Sequence, residues 1–84
     1  MGLFSKSGGA QYLSGIRKGM DERDVIAKIG RDPNDNRECK PVFGQKVADR
    51  TIAWQMPDGV VVVYVTNGRV SDFKFMEGEH RFGP

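Results

Sequence analysis

A chain of 84 residues with one cysteine and a net charge of +2 makes a single domain with a thin core; folding buries only about 60–65% of the surface of an unfolded chain this short. Hydrophobic content of 38% against 29% charged argues against disorder, and the lone Cys39 excludes an internal disulfide. No apolar run is long enough to span a membrane and no leader or myristoylation pattern opens the chain. The expectation is therefore a cytoplasmic protein, or an exported one whose leader has been removed.

Residues 1–9, rich in Ser and Gly, read as a flexible arm. The spacing of Tyr12, Leu13 and Ile16 predicts a short helix over residues 10–18, stopped at Gly19. A second helix is better delimited. Asp21 is its N-cap, Glu22 and Asp24 favour its positive end, and Val25, Ile26 and Ile29 form its apolar stripe. Lys28 sits in its last turn, Gly30 ends it and Pro33 blocks continuation. Residues 31–46 are a long polar connection with two prolines. A loop of that length is uncommon in a compact domain and is either functional or poorly ordered, and Val42 and Phe43 are expected to pin it to the body.

Beyond residue 46 the period changes from 3.6 to 2. "RTIAWQM", "VVVVYVT" and "RVSDFKF" read as strands joined by two tight turns. Asn67-Gly68 is a two-residue type I′ signal. Pro57-Asp58-Gly59 reads as a three-residue loop closed by a left-handed glycine. That register puts Ile52, Trp54, Met56, Val60, Val62, Tyr64, Phe73 and Phe75 on a core face, covered by Leu13, Ile16, Val25 and Ile29. The second face then carries Thr51, Ala53, Gln55, Val61, Val63, Val65, Val70, Asp72 and Lys74, a valine row with a polar rim.

Ile16, Gly19-Met20, Asp21, Val25, Ile29-Gly30, Pro33, Trp54 and Asn67-Gly68-Arg69-Val70 together form a pattern over residues 16–76. It resembles the SmpA/OmlA (BamE) outer-membrane assembly lipoproteins and, more broadly, domains with the fold of the β-lactamase inhibitor protein. The resemblance implies a small domain that binds other proteins, often through the sheet face its helices leave uncovered.

The expected fold class is α+β: two short N-terminal helices packed on one face of a three-stranded antiparallel β-meander. It comprises an arm at 1–9, a domain at 10–76 and a polar tail at 77–84. The expected function is a non-enzymatic interaction module binding a partner protein or itself through Ala53, Gln55, Val61, Val63, Val65, Val70, Asp72 and Lys74. The alternative is binding of nucleic acid or another anionic partner through Lys6, Arg17, Lys18 and Arg69. No catalytic, metal or cofactor site is expected. Cys39, flanked by Arg37 and Lys40, and His80, in the tail, fall short of a zinc set or a triad. "KSGGAQ" lacks the phosphate-loop ending.

Overall fold

The computed structural model of the protein describes residues 9–78. The first eight residues, with Lys6, and the last six, with His80, lie outside the described residues. Helix α1 (Gly9–Leu13) is a five-residue piece, shorter than the predicted 10–18 and beginning one residue earlier. Ser14 and Gly15 interrupt it, and Ile16 reaches the core through a turn in which its amide donates to the Leu13 carbonyl at 3.0 Å. The three-residue spacing of Leu13 and Ile16 thus belongs to a turn, not to a continuing helix.

Helix α2 (Glu22–Ile29) has the predicted ends. The Asp21 carboxylate accepts from the Arg23 amide at 2.9 Å, and Gly30, at φ 93°, donates to the Ile26 carbonyl. Both bonds satisfy groups that a helix end leaves open. Val25 is fully buried, with Ile26 and Ile29 packed beside it. Eight residues do not hold as an isolated helix, and tertiary contacts supply the rest. Residues 19–21 run beside the sheet: Gly19 donates to the Val70 carbonyl at 2.7 Å, Val70 to that of Met20 at 2.8 Å, and Glu22 to that of Gly68 at 3.0 Å.

The sheet overturns the expected three-stranded meander. Four antiparallel strands stand in the order of the chain: β1 (Asp35–Glu38), β2 (Arg50–Met56), β3 (Gly59–Thr66) and β4 (Arg69–Glu77). β1 lies inside the segment expected to be a loop. Its sequence, Asp-Asn-Arg-Glu, has no apolar alternation, so its extended form comes from pairing with β2, from Asp35 opposite Ala53 to Glu38 opposite Arg50. Asn34 starts the pairing, donating from its amide to the Ala53 carbonyl and accepting the Gln55 amide on its side chain, both at 2.8 Å.

The register also differs from expectation, by one residue on each side of β3. Met56 pairs with Gly59, so the first turn is the two residues Pro57-Asp58, and Gly59 is a strand residue without positive φ. It is glycine for want of room. A Cβ there would collide with the Met76 carbonyl oxygen and lie 2.7 Å from Phe75 Cζ and 2.9 Å from Glu77 Cα. The second turn is the predicted one, with Asn67 at φ 54° and Gly68 at φ 76°. Past it, however, the partners change from Val65 with Val70 to Tyr64 with Asp72. Ser71 is the extra residue of a β-bulge, and its hydroxyl donates to the Tyr64 carbonyl at 3.3 Å.

The two offsets turn β3 over relative to both neighbours. Val61, Val63 and Val65 join Ile52, Trp54, Met56, Ile16, Val25 and Val70 in the main core, with Phe73 and Phe75 against it. Val60, Val62 and Ala53 form a smaller cluster on the other face, beside Tyr64 and Met76.

Gly59→Ala tests the close approach. The methyl group meets backbone, so the variant loses about 1–3 kcal/mol, read as a lower midpoint in urea unfolding. Asp21 gives a pH test. The hydrogen bond from the Arg23 amide, helped by the charges of Arg23 and Arg69, holds its carboxyl below the ordinary 3.8. A group more acidic when folded stabilises above its unfolded pKa and loses that contribution as pH falls through the folded value. Asp21→Asn should therefore flatten the fall in melting temperature below about pH 4.

Candidate interaction surface

The eight residues expected to form one patch are divided by the sheet. Val61, Val63, Val65 and Val70 are buried in the main core on the helix side, because β3 is turned over by the two-residue turn and the Ser71 bulge. Ala53, Gln55, Asp72 and Lys74 lie on the opposite side, in register with Val62, Val60, Tyr64 and Val62 respectively. Conversely Val60, Val62 and Tyr64, expected in the core, belong to that second face. Its apolar centre is closed: Ala53, Val60 and Val62 are buried. Around it stand exposed Asp72 and Lys74, half-buried Gln55, Tyr64 and Met76, and an Arg37–Asp35 ion pair of 2.7 Å. The valine row proposed as a docking stripe is therefore core, and the face presents mainly a polar rim.

The exposed large hydrophobic residues lie elsewhere, in the connection between β1 and β2. Among the described residues they are Phe43, fully exposed, Val47 at 77% and Val42 at 64%. The expectation that Val42 and Phe43 pin this segment to the body is overturned. Its base is firm: the Cys39 amide donates to the Asp49 carbonyl and the Asp49 amide to that of Val65, each at 2.9 Å. The Asp49 carboxylate accepts the Asn67 amide, also at 2.9 Å, and faces Lys46 at 3.8 Å. Ala48 is buried and Cys39 half-buried.

The tip is a second tight hairpin. Val42 and Gln45 exchange both backbone hydrogen bonds, at 2.7 and 3.0 Å, around Phe43 at φ 53° and Gly44 at φ 78°. These angles nearly reproduce those of Asn67-Gly68, 54° and 76°. Asparagine tolerates that left-handed conformation, whereas a bulky side chain is an outlier in it. Phe43 occupies it with its ring in solvent.

Beside the base of this hairpin, Val47, Tyr64, Asp72 and Lys74 line an open depression of about 300 Å3. The Lys74 ammonium stands 5.7 Å from the centre of the Tyr64 ring, within the range of a cation–π contact. The depression links the hairpin to the rim of the second face. The sequence marks this loop by its length and its apolar pair Val42 and Phe43, but an apolar pair among polar residues and prolines reads as an anchor to the body, not as an exposed tip.

The residues named for anion binding are also divided. Arg69 donates to the Gly19 carbonyl at 3.1 Å, a structural contact, while Arg17 and Lys18 are exposed. Among the described residues no group of three or more His, Cys, Asp or Glu could hold a metal ion, and no helix is long and apolar enough to cross a membrane. No protein-family model matches the chain, and neither a curated protein nor a solved structure matches it.

Val63→Lys tests the reassigned face. At 0% exposure an unpaired ammonium costs several kcal/mol, comparable with the whole stability of a small domain. The variant should lose the dispersed amide NMR spectrum of the folded chain, whereas Lys74→Glu, on the exposed rim, should keep it.

Proposed function

We propose that the protein is a non-enzymatic interaction module that docks a partner protein through the Phe43 hairpin and the adjoining rim of the second sheet face. The observation that carries this reading is the pair of near-identical turns, one built from Asn67-Gly68 and the other from Phe43-Gly44. The second holds an aromatic ring in a conformation that costs about 1–2 kcal/mol for a residue with a side chain of this kind, and buries none of it. A residue that harms its own fold and adds nothing to the core is explained by a contact outside the chain.

Partner chemistry follows from the surroundings. Phe43 and Val42 ask for an apolar pocket, the usual seat of an aromatic anchor. Lys40 and Lys46 are exposed on either side of the tip, and Lys46 is held only weakly by Asp49, so a pocket with an acidic rim fits best. The likeness to the SmpA/OmlA pattern concerns the scaffold rather than the partner. Its glycines at 19, 30 and 68 are turn positions of positive φ here, so the pattern speaks for the scaffold and Phe43 for the contact.

Phe43→Asn separates function from stability. It should raise stability by about 1 kcal/mol in urea unfolding while abolishing partner binding. A photo-reactive phenylalanine at position 43 should cross-link to one protein of the native cell, and the adduct should disappear when unlabelled wild type, but not Phe43→Asn, competes. Adducts equal to those from a probe at Asn67, or equal competition by the two proteins, overturn the reading. An adduct in the purified protein alone, with a mass rising with concentration in light scattering, assigns the contact to a second copy instead.

A further inference from the structure

A second surface feature is independent of the hairpin. Between the turn that follows α1 and the outer side of α2 lies an open pocket of about 510 Å3, lined by Ser14, Gly15, Arg17, Lys18, Met20 and Lys28. Three of its six lining residues are cations and none is an acid. Among the described residues none of the three takes part in an ion pair; the four ion pairs there engage Arg23, Arg37, Lys46 and Arg50. The acids at the start of α2 are committed elsewhere, Asp21 to Arg23 and Glu22 to Arg50. Asp24, one turn before Lys28, makes no ion pair with it.

Lys28 comes from α2 and Arg17 and Lys18 from the loop before it, and Gly15 leaves room for the lysine stem beside that loop. A Cβ at Gly15 would stand 2.9 Å from Lys28 Cε, 3.1 Å from Cδ and 3.5 Å from Nζ. The lysine stem therefore crosses the place where any other residue would carry its side chain, and brings the ammonium against the loop. The loop is closed by the Met20 amide donating to the Arg17 carbonyl at 3.2 Å. Three cations lining one pocket with no acid among the lining residues make it a favourable place for an anion.

We infer that this pocket, formed by Arg17, Lys18 and Lys28 over Gly15, binds the phosphate group of a small phosphorylated ligand. Its volume lies in the range of small-molecule sites, about 300–1,000 Å3, and three cations match one phosphate or diphosphate group. A polyanion would need a longer track. Neither Arg23 nor Arg69 lines the pocket: Arg23 faces Asp21 and Arg69 is hydrogen-bonded to the Gly19 carbonyl.

Pyrophosphate and ADP are the probes, titrated into the folded protein at low and moderate salt and followed by amide NMR. Shifts should concentrate on residues 14–20 and on Lys28. Lys28→Gln should weaken binding by about tenfold. Gly15→Ala should fall between that variant and wild type with an unchanged spectrum elsewhere, because its methyl meets only the movable end of the lysine. Unchanged affinity in Lys28→Gln, or shifts spread over lysines generally, overturns the site. Tighter binding of a single-stranded oligonucleotide than of ADP, with shifts extending to Arg37 and Arg50, overturns it in favour of a polyanion surface. None of these outcomes touches the Phe43 hairpin, so the two proposals stand or fall separately.

Discussion

A strand shows its side chains alternately to two sides, so the alignment of β3 decides which of its valine rows lies beneath the helices. Three local features hold that alignment. The Pro57-Asp58 turn sets Met56 opposite Gly59. Gly59 admits β4 at a distance that leaves no space for a Cβ. Ser71 absorbs one residue on the far strand and bonds back to the Tyr64 carbonyl. With β3 so placed, Val61, Val63 and Val65 meet Trp54, Ile52 and the apolar stripe of α2 in one core. A slip of one residue would exchange them for Val60, Val62 and Tyr64.

The core is closed at its open end by polar contacts that also create β1. The Trp54 indole donates to the Arg31 carbonyl at 2.9 Å, and the Arg31 guanidinium turns back to the Gln55 carbonyl, to Met56 Sδ at 3.7 Å and to Asn34 at 3.2 Å. The chain leaving α2 is thereby laid along β2, and Asn34 begins the ladder. On the same edge Arg50 joins Glu22 of α2 to Asn36 of β1. A short strand with no apolar residue is stabilised in this way by its neighbours. Its charged side chains also protect the sheet edge from pairing with another chain.

What could be read from the sequence was whatever a few adjacent residues decide. Asp21 and Gly30 bound α2, and Asn67-Gly68 turns the last hairpin, because capping and left-handed turns depend on local chemistry. The faces of the sheet depend on turn length and bulges, and "MPDGV" is compatible with loops of two or three residues. Nothing in "RVSDF" marks Ser71 as unpaired. One shift on each side of β3 moved Val61, Val63, Val65 and Val70 from the presumed docking stripe into the core, while Asp72 and Lys74 stayed on the outer rim. β1 escaped notice because its strand form is imposed by β2. The exposed turn at Phe43 was not foreseen because such a turn normally announces itself by asparagine or aspartate.

Local preference and global fold agree over most of this chain, which is the condition for a small domain to fold to one structure. β1 departs from its local preference for a reason inside the fold, its pairing with β2; two places that depart without such a reason are therefore informative. At Phe43 the backbone favours a small polar residue and receives a ring exposed to water. Beside α2, Arg17, Lys18 and Lys28 line one pocket with no acid among its lining residues. Neither feature contributes to the main core, whose members come from Ile16, Val25 and the three long strands. Stability alone gives no reason for an aromatic tip on one connection or a basic pocket beside α2. The two proposals supply one, with different contacts: an apolar pocket for the ring, and phosphate oxygens for the cations.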